Sequence, residues 1–95
     1  MPSVQLRRYE IKPGEMEPFL EAVRAAFVVR EHYGFRVAFA LIDEERNEFT
    51  WAVAHDGDFD EVERVYMASP ERAAAFEGQP KYTVAMHISR VAAVG

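Results

Sequence analysis

Three histidines, a single tryptophan, four tyrosines and no cysteine define the chemistry open to this sequence of 95 residues. Without cysteine there is no thiolate nucleophile, no disulfide scaffold and no Cys-based zinc or iron–sulfur site. His32, His55 and His87 show no His-x-His or HExxH spacing, so no metal site is expected. Haem ligation by one of them has no motif behind it, and no cofactor is expected. The five glycines are scattered and form no phosphate-cradling loop. What remains is acid–base and aromatic chemistry. His55 could act as a general base, with the Trp51 N–H and the Tyr66 O–H donating to a developing oxyanion. Arg8, Tyr9, Phe27, His32 and His87 are further candidates for contacting a ligand. Trp51 and Tyr66 can equally fill a core with their polar tips satisfied locally, the commoner fate of such residues. Arg8 shares a strand face with Glu10, which favours a structural ion pair over a substrate clamp.

These residues must be positioned by a small set of elements. Residues 4–11 alternate and end at Lys12-Pro13-Gly14, which predicts a first strand and a turn. Met16, Phe19, Leu20, Val23 and Phe27 then lie on one helical face, with Glu15, Glu17, Glu21, Arg24 and Arg30 on the rest. Gly34, just beyond His32, is the stop signal. Phe35–Ile42 and Glu48–His55 are predicted strands joined by the polar turn Asp43–Asn47. Asp58 with Glu61 is a capping-box-like helix start, followed by an apolar stripe of Phe59, Val62, Val65 and Tyr66. Ser69-Pro70 opens a short helix through Phe76, and Lys81–Ser89 is the fourth strand. The order β-α-β-β-α-β predicts an α+β, ferredoxin-like plait with an antiparallel sheet in the order 4-1-3-2 and the helices on one face. In that plait His32, His55 and His87 should share one sheet edge. His55 and His87 would then be two strand spacings, about 9–10 Å, apart.

Length and charge narrow the function. The chain is a single domain. A net charge of −5, from 11 basic and 16 acidic residues, disfavours nucleic acid. No apolar run is long enough for a membrane span, and the first residues lack a signal-peptide pattern, so a cytoplasmic address is expected. Nine arginines against two lysines suggest a GC-rich bacterial source.

The strands carry a second message. Val37–Ile42, Phe49–Ala54 and Tyr82–Met86 are apolar on both faces rather than alternating. One face is bulky: Phe35, Val37, Phe39, Leu41, Phe49, Trp51, Val53, Tyr82, Val84, Met86 and Ile88. The other is small: Ala38, Ala40, Thr50, Ala52, Ala54, Thr83 and Ala85. Helices can cover only one, and the other would expose a large apolar patch. A two-fold homodimer packed through the small-residue sheet face is therefore expected.

The stretch Leu6-Arg7-Arg8-Tyr9-Glu10-Ile11-Lys12-Pro13-Gly14, the segment His32-Tyr33-Gly34-Phe35, and Phe49–Asp60 followed by Tyr66 and Ser69-Pro70-Glu71-Arg72 resemble the dimeric α/β-barrel superfamily, and within it the NIPSNAP-like proteins. The resemblance implies a two-fold dimer in which two plaits face each other as a barrel. The wider superfamily includes cofactor-free monooxygenases acting on activated polycyclic phenols, haem-degrading oxygenases and lactone isomerases. The expectation is a small protein binding an apolar or aromatic molecule between sheet and helices. The alternatives are a cofactor-independent monooxygenase or isomerase of a hydroxylated cyclic substrate, and a structural or regulatory dimer without ligand.

Overall fold

The computed structural model describes residues 2–92 and 94. The strands are β1 (Ser3–Ile11), β2 (Arg36–Asp43), β3 (Glu48–His55) and β4 (Thr83–Val91). The helices are α1 (Met16–His32), α2 (Phe59–Met67) and α3 (Pro70–Phe76). The sheet order is β2-β3-β1-β4, with every neighbouring pair antiparallel. This is the expected ferredoxin-like topology. Both caps read from the sequence are formed: Asp58 accepts from the Glu61 N–H at 3.1 Å, and Ser69 Oγ accepts from the Arg72 N–H at 3.1 Å. No helix among the described residues is long and apolar enough to cross a membrane.

Register decides which side chains meet the helices, because directly paired residues share a face. Tyr9 pairs with Phe49, Arg7 with Trp51 and Gln5 with Val53. Phe19 of α1 meets this layer edge-on, with its ring 5.1 Å from Phe49 and 6.0 Å from Tyr9. Phe35, Phe59 and Tyr66 close the core at the α2 end.

Two register shifts change the expected faces. Between Val37 and Phe39 the pairing steps from Val53 to Ala52, so Ala38 is an extra residue. Beyond it, Ala40 and Ile42 turn to the helix side, opposite Trp51 and Phe49. Phe39 and Leu41 join Ala52 and Thr50 on the open face, 42% and 59% exposed. A second shift, at Glu10/Ile11, leaves Val84 unpaired and puts Thr83 opposite Ile11. The bulky and small faces read from the sequence therefore exchange partners along β2 and at the start of β4. The open face is not uniformly small. Strict period-two reading cannot see an inserted residue.

The β2–β3 turn is pinned to β1. Asn47 has φ 55°, in the left-handed region, and its Nδ2 donates to the Ile11 carbonyl at 2.8 Å and the Lys12 carbonyl at 3.3 Å. Asn tolerates this backbone better than Ala. We expect Asn47→Ala to lower the unfolding free energy by about 2 kcal/mol, from strain plus a lost hydrogen bond. Asn47→Gly should cost less, because glycine removes the strain. Urea denaturation of both variants checks the order.

Candidate functional site

The site is a cavity of about 370 Å³ between the sheet and the helices, on the β1/β4 side. It exists because the helix layer does not roof β4. Met86 and Ile88 point to the helix side, opposite Tyr9 and Arg7, yet stay 49% and 44% exposed. α1 contributes Phe19, Ala22, Val23, Ala26, Phe27 and Arg30 to the wall. The small Ala22 and Ala26 keep the helix surface low where the cavity opens. Trp51 and Tyr66 form the inner end, and Phe76 with the segment Gln79–Thr83 borders the mouth. The volume falls within the range of small-molecule pockets, roughly 300–1,000 Å³.

Charge is concentrated at the inner end. Glu63 of α2 receives Arg30 through both terminal nitrogens, at 2.8 and 3.1 Å, and Arg7 Nη2 at 3.2 Å. Arg30 side-chain exposure is 4% and that of Arg7 is 11%. Arg7 also donates to the Tyr9 hydroxyl at 2.9 Å and to Gln5 at 2.7 Å. The Arg30 guanidinium lies 4.3 Å from the Tyr66 ring centre, and both guanidiniums lie 5.4 Å from that of Trp51. The Trp51 Nε1 is buried with no hydrogen-bond partner, an exception to the rule that buried donors are satisfied.

Of the residues expected from the sequence, Trp51, Tyr66, Tyr9 and Phe27 do line one cavity. His55 does not join them. Its Nδ1 accepts from the Gly57 N–H at 2.9 Å, which places the proton on Nε2, 3.3 Å from the Tyr33 carbonyl. With both nitrogens engaged, the ring has no lone pair free to act as the expected base. It also packs so closely on Gly34 that a Cβ there would sit 3.0 Å from Nε2, at a glycine whose φ is already +87°. His55 therefore ties the end of β3 to the end of α1.

Arg8 and His87 face the open side of the sheet: Arg8 pairs with Glu48 at 3.1 Å, and His87 with Glu10 at 2.7 Å. His32 is exposed at the end of α1. The three histidines do not share an edge. β4 begins at Thr83, so His87 lies opposite Arg8, while His55 lies opposite Ser3, roughly 17 Å away along the strands.

Sequence reasoning missed Arg7, Arg30, Glu63 and Arg72. For Arg30 and Glu63 the spacing held a partial signal. Arg30 follows Val23 by seven and Phe27 by three, on the buried stripe of α1 rather than its polar face. Glu63 lies between Phe59 and Tyr66 at helical spacing. Val65, expected in that stripe, is exposed.

Two exposed hydrogen-bonded pairs outside the cavity shift the pKa values of their members. The hydrogen bond from Tyr33 raises the tyrosine's own pKa and lowers that of Glu71. This exposed link between α1 and α3 is present above the usual carboxylate range and weakens as pH falls through it. The exposed Glu61–Arg64 pair likewise lowers the Glu61 pKa, first through the hydrogen bond from Arg64.

No family model matches the sequence, and no curated protein matches it. Solved structures do. An uncharacterized NIPSNAP domain protein from Burkholderia xenovorans superposes with a TM-score of 0.83 at 17% identity, over 99% of this chain and 95% of that one. The chain has the fold of the NIPSNAP domain proteins. A NIPSNAP family protein of unknown function from Agrobacterium tumefaciens matches with a TM-score of 0.79 at 16% identity, over 95% of this chain and 86% of that one. A candidate antibiotic biosynthesis monooxygenase from Bacteroides thetaiotaomicron matches with a TM-score of 0.78 at 19% identity, over 98% and 90% of the two chains.

The buried charge cluster predicts a contrast within one helix. Glu63→Gln leaves two buried guanidiniums without a counter-charge and should destabilise the fold by about 3 kcal/mol. Arg64→Gln, which breaks an exposed pair one residue along, should leave the urea midpoint essentially unchanged. Equal effects would show that the cluster is solvated.

Proposed function

We propose that this chain is a small NIPSNAP-like protein of the bacterial cytoplasm. It acts as a homodimer and binds an apolar or aromatic small molecule between its sheet and helices. The observation that carries the binding reading is the cavity itself. It combines aromatic walls, an opening beside β4, and the guanidiniums of Arg7 and Arg30 at its inner end. Binding is better supported than cofactor-free oxygenation or isomerisation, the alternatives implied by the sequence resemblance. Among the described residues, no histidine, aspartate or glutamate lines the cavity to serve as general base.

Dimerisation is proposed through the open sheet face. The molecule measures 37 × 36 × 17 Å, a two-layer slab with one sheet face uncovered. Val4, Leu6, Phe39 and Leu41 share that face with Ala52 and Ala54. A second copy would bury this apolar surface and form a barrel of two facing sheets. This arrangement has more bulk at its centre than the alanine-rich contact expected from the sequence.

Two measurements test these readings. N-phenyl-1-naphthylamine, a neutral aromatic dye, should bind with enhanced fluorescence at one site per chain. Ala26→Phe should fill the cavity and abolish binding while leaving the far-ultraviolet circular dichroism intact. Binding unchanged by Ala26→Phe would remove the cavity from the reading. For the assembly, sedimentation equilibrium should give twice the 10.9 kDa chain mass. Leu41→Lys should weaken the dimer roughly tenfold or more. A monomeric wild-type protein would refute the dimer.

A further inference from the structure

The cavity wall is far more basic than the protein around it. The chain carries a net charge of −5. Yet Arg7, Arg30, Arg72 and Lys81 line the cavity, and among the described residues no acidic one does. Glu63, the carboxylate behind the inner end, offsets one of the two charges on Arg7 and Arg30. One positive charge is left over in a place shielded from water.

Hydrogen-bonding capacity is left over as well. A guanidinium offers five N–H groups. Arg30 spends two, both on Glu63. Arg7 spends three, on Gln5, Tyr9 and Glu63. The Trp51 Nε1 and the Arg72 Nε are buried without partners. Both of these atoms lie covered behind the cavity wall, so the donors open to a ligand are the spare N–H groups of the guanidiniums. Arg72 reaches the same space from the α3 side, its guanidinium 5.9 Å from the Tyr66 ring centre and 4.8 Å from that of Phe76.

Surplus charge and surplus donors thus converge on one end of an aromatic cavity. A neutral apolar ligand would fill the volume and leave both unsatisfied. An anion with several acceptor lone pairs satisfies both, and a carboxylate matches the planar fork of a guanidinium. The Arg7–Arg30–Glu63 cluster holds one surplus charge, which matches one carboxylate, and Arg72 adds a further cation on the α3 side.

We infer that the cavity binds an aromatic monocarboxylate. Its carboxylate lies against the guanidiniums of Arg7 and Arg30, and its ring system lies against Phe27, Val23 and Met86. This inference rests on the proposed reading of the cavity as a small-molecule site and names the ligand class that site takes.

The test is isothermal titration calorimetry with 2-naphthoate and its neutral counterpart 2-naphthamide. At neutral pH the carboxylate should bind about tenfold more tightly or better, the usual worth of a charge-assisted hydrogen bond. Arg7→Met leaves the Arg30–Glu63 pair intact and neutral, so the fold is retained. It should lose most of the preference for naphthoate and keep the naphthamide affinity. Arg72→Gln, which removes a cation with an unpartnered Nε, should lower naphthoate affinity several-fold. Equal affinity for the two compounds in the wild type would overturn the anion inference, as would a preference that survives both substitutions. So would binding of N-phenyl-1-naphthylamine without either naphthyl compound; in each case the cavity reading would stand. Failure of all three compounds to bind would overturn both.

Discussion

Glu63 is the point at which three elements of this molecule are joined. Arg7 comes from the central strand β1, Arg30 from the last turn of α1, and the carboxylate from α2. Desolvating three charges is costly, and only close hydrogen-bonded geometry offsets it. That requirement fixes the depth of α2 on the sheet more sharply than Phe59 and Tyr66 could alone, since apolar contacts tolerate sliding. It also keeps the Arg30 guanidinium over the Tyr66 ring. The inner end of the cavity is a by-product of this arrangement: where two guanidiniums share one carboxylate, aliphatic side chains cannot close the space.

The fold was legible because its signals are local and agree with one another. The caps at Asp58 and Ser69, the stop at Gly34 and the Pro13-Gly14 turn each place an element boundary, and together they allow one common topology. The site was legible in its aromatic half. Trp51, Tyr9, Phe27 and Tyr66 are large, and their burial follows from period. The charged half was not, because charged side chains on helices are assigned to solvent by default. Arg30 and Glu63 contradict that default only in combination, and sequence does not show that residues 33 positions apart will meet.

The histidines show the opposite error. Histidine draws attention as the side chain that titrates near neutral pH. Here the segments flanking His55 carry a good part of the resemblance to NIPSNAP-like proteins, and the structure gives that ring the work of a clasp. It packs between Gly34 and Gly57, bonded to backbone on both sides. The two glycines leave room for it. A motif of this kind reports how a chain turns a corner and is silent on what the protein binds.

The inserted residues in β2 and β4 have one more consequence. These are the two edge strands of the sheet. An edge strand offers a free row of backbone donors and acceptors, on which another chain can extend the sheet without limit. The extra residue at Ala38 and the unpaired Val84 each break the regular rhythm of that row. A chain with so many consecutive apolar strand residues would otherwise be a template for fibrous stacking. With both borders irregular, sideways growth is obstructed, and the proposed association through the broad face would be closed and countable.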